Sequence, residues 1–474
     1  MPAPIYITGP AGTGKTTKLL ALTVQCAREL SLQPHQKVLA MAYMHGARRR
    51  LESSIAGHQE CRTVPCIVCT IDSFALTLVN RWRSSLGIEF PVLAAPGRCS
   101  LRFERHSRIH LTFDEIAALA TDLLARPVVL RLLSASHPLV VIDEFQDCIG
   151  RRLELIKLIS QASQLIVAAD PFQLLQGGPS GCPALDWLES LSGTGLREHH
   201  HLTEPHRFSA NPGIFRSARA VREQSRSEDS AVPVHCGPPS PIAWWIMERL
   251  LLGWYGPCWS GTTALISPSG SGAINDVVRL MSQHAEKRGR KSIRWERQSA
   301  SDEEQEILYG ELGVTNDHLD EENWERPSQA LSARATEVID RAHRFVQLRG
   351  LGQISNSLVS AFADEIVHSA RAYNKSSSRF IVTTVHGAKN REFDNVCVIW
   401  SYRIPGDSEA QRRLLYNALT RAKLNCVVFD TRSKKVVSSD TVIGLLGSPK
   451  PVFKKKENRP STGRSRRVVK PTQE

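Results

Sequence analysis

The chain has 474 residues, enough for several hydrophobic cores, and sets 60 Lys and Arg against 47 Asp and Glu, a net charge of +13. That balance favours a polyanionic partner. No apolar run is long enough to span a bilayer, no basic-then-apolar leader is expected at the N-terminus, and the eleven scattered cysteines read as reduced thiols in the cytoplasm rather than a disulfide framework.

Ile5-Tyr6-Ile7 predicts a short strand. Gly9-Pro10-Ala11-Gly12-Thr13-Gly14-Lys15-Thr16 follows it with the spacing G-x-x-x-x-G-K-[ST], and a helix is expected over 18–30. Backbone N–H groups of such a loop curl around phosphates, and the helix start adds its dipole. Lys15 would reach the β- and γ-phosphates, and Thr16 would ligate magnesium.

Val38 to Ala42 reads as a strand, followed by a helix from His45 to about Ile55 that carries Arg48-Arg49-Arg50. Val68 to Ile71 and a helix from Ser73 to about Trp82 repeat the rhythm. Cys61, Cys66 and Cys69 are tightly spaced and could take a metal with Cys99. The run Cys66 to Ile71 also reads as a buried strand, in which cysteine is a small hydrophobe. Residues 86–136 break the rhythm with Pro91, Pro96, Gly97, the basic set Arg98, Arg102, Arg105 and Arg108, and the capping box Thr112-x-x-Glu115; a mostly helical insertion is expected.

Leu139-Val140-Val141-Ile142-Asp143-Glu144-Phe145-Gln146-Asp147 is the stretch around which the rest is organised. A β-branched strand running into two carboxylates reads as a buried parallel strand with acids at its carboxyl end, where α/β sheets bind ligands. Asp143 could hold magnesium and Glu144 could orient or deprotonate a water. A helix (152–159) and another buried strand (165–169) lead to Asp170-Pro171-Phe172-Gln173.

A second α/β unit then begins. Leu202 to Phe208 precedes a helix at 214–222. Residues 226–240 read as a loop, 244–252 as helix, 263–267 as strand and 274–285 as helix. Residues 298–375, with acidic Asp302, Glu303, Glu304, Glu306, Asp317, Asp320, Glu321 and Glu322, read as a second helical insertion. Strands are expected at 380–385, 396–400 and 426–429, and a helix over 412–423. From Ser448 the chain is Pro-, Lys- and Arg-rich, and 449–474 is expected to be a disordered basic tail. The units are thus 1–85 with 137–197, and 198–297 with 376–448, interrupted by insertions at 86–136 and 298–375. His199, His200, His201 and His206 also form a group, with metal binding the less favoured reading.

These residues resemble the superfamily 1 helicases of the UvrD/Rep type, through ordered motifs from Gly9 to Lys423. Gly9 to Thr17 is similar to motif I, Ala42 to Ala47 to motif Ia, and Thr70 to Phe74 to motif Ib. Val141 to Asp147 resembles motif II, Asp170 to Gln173 motif III, and Leu202 to Arg207 motif IV. Thr384 to Phe393 is similar to motif V and Arg412 to Lys423 to motif VI. The resemblance implies an α/β fold of two tandem RecA-like parallel-sheet domains that use ATP and Mg2+. It implies catalytic roles for Lys15, Asp143, Glu144 and Gln173, with Arg207 and Arg421 as arginine fingers. Nucleotide contacts would come from Gly9, Gly12, Thr13, Gly14, Thr16, Thr17, His206 and, at the ribose, Glu392. Tyr43, His45, Ser73 and His386 would face the nucleic acid.

This sequence departs from the family at several positions. Eight residues precede Gly9, so no glutamine-bearing adenine motif is expected, and His206 replaces the adenine-stacking tyrosine. Leu174-Leu175-Gln176 stands where base-stacking aromatics are usual, Asp72 replaces a histidine and Asn390 a glycine. The implied function is an ATP-dependent DNA helicase or single-strand translocase moving 3′ to 5′ on single-stranded or partly duplex DNA. The alternative is a DNA-sensing ATPase subunit that loads or regulates a partner nuclease without processive unwinding, in repair or in anti-phage systems such as Gabija. A P-loop kinase or GTPase would need no counterparts of motifs IV to VI.

Overall fold

Two all-parallel sheets carry the chain in the computed structural model, which describes residues 3–95, 103–105, 108–175, 181–191, 198–208, 210–226, 232–252, 258–269, 272–287, 293–297, 308–314, 324–327, 331–349, 353–356, 358–360, 362–363, 366, 378–401, 404 and 406–452. The first sheet uses β1 (Ile5–Thr8), β2 (Val38–Ala42), β3 (Cys66–Thr70), β7 (Leu139–Asp143), β8 (Gln164–Ala169) and β9 (Glu198–His201), in the order β3-β2-β7-β8-β1-β9. The phosphate loop leaves β1, the acid pair leaves β7, and β8 lies between them. The three strand ends that matter are therefore neighbours on one edge.

Strand pleating explains why these runs are apolar throughout. Ile5, Ile7, Ala40, Val141, Ile166 and Ala168 point into one core, shared with Leu19, Leu20 and Val24 of α1 (Lys15–Glu29). Their neighbours Tyr6, Leu39, Met41, Val140, Ile142, Leu165 and Val167 point into the other. That second core also takes residues of α3 (Ile71–Trp82), α4 (Phe113–Leu124), α6 (Gly150–Ser160) and α7 (Pro183–Ser190). Alternate residues of a strand face opposite sides, so a sheet covered on both faces has no polar side to show. Helix α2 (His45–Gly57) follows β2 and α5 (Pro127–Ser136) precedes β7.

The second sheet has the order β12-β13-β11-β14-β15-β10-β16, again parallel throughout. Its strands are β10 (Val234–Cys236), β11 (Thr263–Ser267), β12 (Glu296–Arg297), β13 (Phe380–Thr384), β14 (Phe393–Trp400), β15 (Ala422–Asp430) and β16 (Lys450–Pro451). Helices α8 (Pro212–Glu223) and Ser408–Leu419 cover one face, and α9 (Pro239–Met247) and α10 (Gly272–Glu286) the other. A separate small core formed by Leu308, Leu312, Trp324, Val338, Ile339 and Val359 lies within 298–375, around the helix Ala333–Arg349.

Several expectations are corrected. Glu198–His201, assigned to the second unit, pairs with β1 as the edge strand of the first sheet. The insertion at 86–136 carries a three-stranded sheet of β4 (Val92–Ala95), β5 (Phe103–Arg105) and β6 (Arg108–Thr112) beside its two helices. Part of the expected loop at 226–240 is β10, held between β15 and β16. The helix expected over 412–423 spans Ser408–Leu419, and Ala422 already belongs to β15. Lys450–Pro451, expected to be disordered, pairs with β10; the rest of the basic tail, 453–474, lies outside the described residues, as do Cys99 and the acidic cluster.

Candidate active site

The phosphate loop turns from β1 into α1 through glycines that its geometry requires. Gly12 sits at φ +79, a left-handed conformation that side chains resist, and a Cβ there would meet Arg207 and Phe208 at 2.8 Å. The segment 202–208 is thus packed directly on the loop, and the N–H groups of His206 and Arg207 donate to the Gly12 carbonyl at 2.9 and 3.2 Å. The His206 ring would stand 3.4 Å from a Cβ on Gly14. The Lys15 ammonium is buried; it donates to the carbonyls of Gly9 and Pro10 at 2.8 and 2.9 Å. Thr13 caps the same turn by donating to Pro10, and Thr17 is exposed.

The acid pair meets the loop across the sheet edge. Thr16 Oγ1 donates to Asp143 Oδ2 at 2.9 Å, so a hydroxyl from the start of α1 and a carboxylate from the end of β7 converge on the same edge. Two hard oxygen donors suit magnesium. Glu144 follows at φ +57, a left-handed backbone that costs a non-glycine residue about 1–3 kcal/mol and recurs at functional sites. Its carboxylate is fixed by Gln146, whose Nε2 donates to Oε2 at 2.6 Å. Gln146 also accepts from the Asp170 N–H at 2.9 Å, which ties the end of β7 to the end of β8.

Electrostatics separate the two acids. Burial opposes ionisation of both. Asp143 is held above the ordinary carboxylate value by burial and by the adjacent Glu144. Glu144 is held below it, because Lys389, Arg50, Lys15 and the Gln146 hydrogen bond outweigh its burial. Neighbouring titratable groups with opposed environments are the usual mark of divided acid–base roles.

The second unit supplies a buried cation, Arg421, and a half-buried one, Arg207. Arg421 sits in the turn between the helix Ser408–Leu419 and β15, where it donates to Asn417 O at 3.0 Å and to Gln173 Oε1 at 3.3 Å. Burial first, and then the like charge of Arg207, pull its guanidinium down to about 10. Arg207 pairs with Glu392 at 2.7 Å and also feels Glu144. Glu392, expected at the ribose, is therefore engaged by Arg207, with Lys423 at 3.9 Å. Gln173 donates to Asp170 Oδ2 at 2.9 Å while accepting from Arg421, so it joins both units.

The residues expected to face a strand lie beyond the carboxyl ends of both sheets. Tyr43 follows β2 and is half-buried, with the Arg152 guanidinium 5.6 Å from its ring centre. Arg152 is itself held by Asp72 at 2.7 Å and Asp114 at 2.9 Å. Ser73 is a helix-capping partner of Thr70. His386 is exposed in the turn after β13, and His45 opens α2. Asn390 takes φ +62, which explains why glycine is usual there, and its Cβ would lie 3.9 Å from a Cβ on Gly46. Motif V and motif Ia thus face each other across the units.

Other residues here carried no assigned role in the sequence. Lys389 pairs with Asp147 at 2.5 Å across the units. Tyr416 and Arg222 both reach Asp170. Tyr416 lies inside a motif; Arg222 has no sequence signal. The histidines of β9 serve the strand: His199 Nε2 and His201 Nδ1 each lie 2.9 Å from Thr8 Oγ1, and His199 stacks on Tyr6. Among the described residues no group of three His, Cys, Asp or Glu is placed to hold a metal, and no disulfide joins the described cysteines.

Residues 379–429 match the family of the UvrD-like helicase C-terminal domain, and residues 1–179 match an AAA domain. No curated protein matches the chain. The Arterivirus nonstructural protein 10 helicase is similar in structure at 12% identity and a TM-score of 0.32, over 94% of this chain and 62% of that one, so the chain spans under two thirds of its length. The Pif1 helicase from Bacteroides, in complex with ADP-AlF3 and ssDNA, is similar at 13% identity and a TM-score of 0.36, over 91% of this chain and 90% of that one.

Proposed function

Taking the chain as a UvrD/Rep-type superfamily 1 helicase by its family domains, we propose that it is an ATP-dependent DNA helicase or single-strand translocase moving 3′ to 5′. The coarser statement, an NTP hydrolase stimulated by nucleic acid, already follows from those families. The observation that supports hydrolysis coupled across the two units is the convergence of Arg207 and Arg421 from the second unit on the loop and acid pair of the first, while the 3′-to-5′ direction rests on the resemblance. A cytoplasmic setting belongs to this reading; among the described residues no helix is long and apolar enough to cross a membrane.

In this reading Lys15 and the loop N–H groups hold the β- and γ-phosphates. Magnesium, held by Thr16 and Asp143, would neutralise charge on them. Glu144 orients a water in line with the γ-phosphorus and takes its proton. The new P–O bond forms as the β–γ bridging bond breaks, and ADP leaves with the bridging oxygen. Arg207 and Arg421 stabilise charge on the transferring phosphoryl group, and Gln173 links that event to the unit interface. The nucleic acid would cross the face carrying Tyr43, His45, Ser73 and His386, and move as the cleft opens and closes.

One observation favours the second reading, a DNA-sensing ATPase that acts through a partner nuclease. Leu174 is buried and Leu175 packs on the core of the second unit, so the segment after Gln173 offers packing in place of base-stacking rings. Strand displacement on duplexes with a 3′ or a 5′ overhang separates the two. Displacement from the 3′ overhang alone supports a 3′-to-5′ helicase. DNA-stimulated hydrolysis without displacement or translocation supports the sensor.

A further inference from the structure

We propose that Arg222 and Tyr416 are positioning residues that hold Asp170 away from Lys15, so that closure of the two units frees the Lys15 ammonium for phosphate. The inference rests on the reading of Lys15 as a phosphate ligand.

Asp170 follows β8 with its side chain sealed from water at 0% exposure. A buried carboxylate needs partners to remain charged. Within its own unit Asp170 accepts from the Phe172 N–H at 3.2 Å and from Gln173 Nε2 at 2.9 Å. The second unit adds Arg222 Nη1 at 2.6 Å and Tyr416 Oη at 3.1 Å. Lys15 Nζ stands at 4.0 Å, beyond hydrogen-bond reach, yet it is the remaining cation beside this carboxylate among the described residues.

The geometry makes the arrangement switchable. Arg222 belongs to α8 and Tyr416 to the helix Ser408–Leu419, so both leave Asp170 if the second unit swings away. The nearest cation would then be Lys15, and a lysine paired with a buried carboxylate is a poor phosphate ligand. The same tyrosine oxygen accepts from the Ala11 N–H at 2.8 Å, so one hydroxyl joins the phosphate loop to Asp170. The Phe172 ring fixes the set: it meets Tyr416 edge-on at 5.2 Å, with the Arg222 and Arg412 guanidiniums 5.6 and 5.5 Å from its centre. Nothing in the sequence around Arg222 marks it, because its role depends only on where α8 packs.

The test is equilibrium binding of a fluorescent ATP analogue to the full chain, which requires no turnover. Arg222→Met should weaken binding roughly tenfold. Adding Asp170→Asn should restore the affinity, because an amide cannot capture the lysine. Arg222→Lys should bind close to the parent. Tyr416→Phe keeps the packing but also removes the acceptor of the Ala11 N–H, so it should weaken binding with partial restoration by Asp170→Asn, and the proposal stays testable if Arg222→Met does not fold. Parent-like binding by Arg222→Met and Tyr416→Phe, or a double variant no tighter than its single, would overturn the latch. A parent that binds the analogue but shows no hydrolysis refutes the proposed function and leaves the latch to be scored by binding alone.

Discussion

Lys389 Nζ stands 2.5 Å from Asp147 Oδ1, an ion pair that joins motif V of one sheet to motif II of the other, with both side chains nearly sealed from water. Burial outweighs the lysine and holds the Asp147 carboxyl at about 6. Its folded value lies above its unfolded one. The group therefore favours the folded state below about pH 4, and that contribution is lost as pH rises through about 6. Asp147→Asn cannot ionise and removes this dependence. Measured from pH 4 to pH 8, the melting temperature of the variant minus that of the parent should rise. A difference that does not change with pH would contradict the assignment.

Hydrolysis should separate Lys15 from Glu144. Lys15→Ala removes a buried cation from the phosphates and should weaken both binding and turnover. Glu144→Gln keeps the shape of the site and should leave the nucleotide bound while cutting turnover by roughly a hundredfold or more. Parallel titration and steady-state rates check both. Near-parent turnover by Glu144→Gln would show that the acid pair is misassigned.

Arg421→Ala and Arg207→Ala should each lower turnover by up to roughly a thousandfold while leaving nucleotide affinity within a few-fold, since the charge they stabilise appears in the transition state. Arg421→Ala also removes the partner of Gln173, so Gln173→Ala should add little on top of it. Fully additive losses would place the two in separate events.

Base selectivity should be weak. The His206 ring lies beside Gly14, and by the resemblance His206 replaces an adenine-stacking tyrosine. GTP should be used within roughly tenfold of ATP, a gap of about 1.4 kcal/mol. Competition between the two nucleotides measures this directly. A preference above a hundredfold would mean that another segment reads the base.

The legible parts of this protein were those written locally. The run 139–147 holds a buried strand and its two acids in consecutive residues, and the loop 9–16 states its geometry in its glycines. The order of motifs singles out Gln173, Arg207 and Arg421, and the structure puts Gln173 and Arg421 in contact. What was not legible depends on pairing between distant segments. Glu198–His201 looks polar because its histidines bond Thr8 at a sheet edge, and short β10 hides in a Pro/Gly-rich run because its neighbours come from 422–430 and 450–451. The sheet within 86–136 pairs segments with little apolar alternation. The pairing of Glu392 with Arg207 was not legible because it joins distant segments, and Arg222 is an ordinary surface arginine until α8 is packed against Asp170.

The most direct test of the central claim is the steady-state rate of ATP hydrolysis by the full chain with and without single-stranded DNA, using Glu144→Gln as the background. The expected result is stimulation of at least roughly fivefold, absent in the Glu144→Gln protein. A parent rate that is Glu144-dependent yet identical with and without DNA would contradict the account, because the site would then hydrolyse ATP without coupling it to nucleic acid.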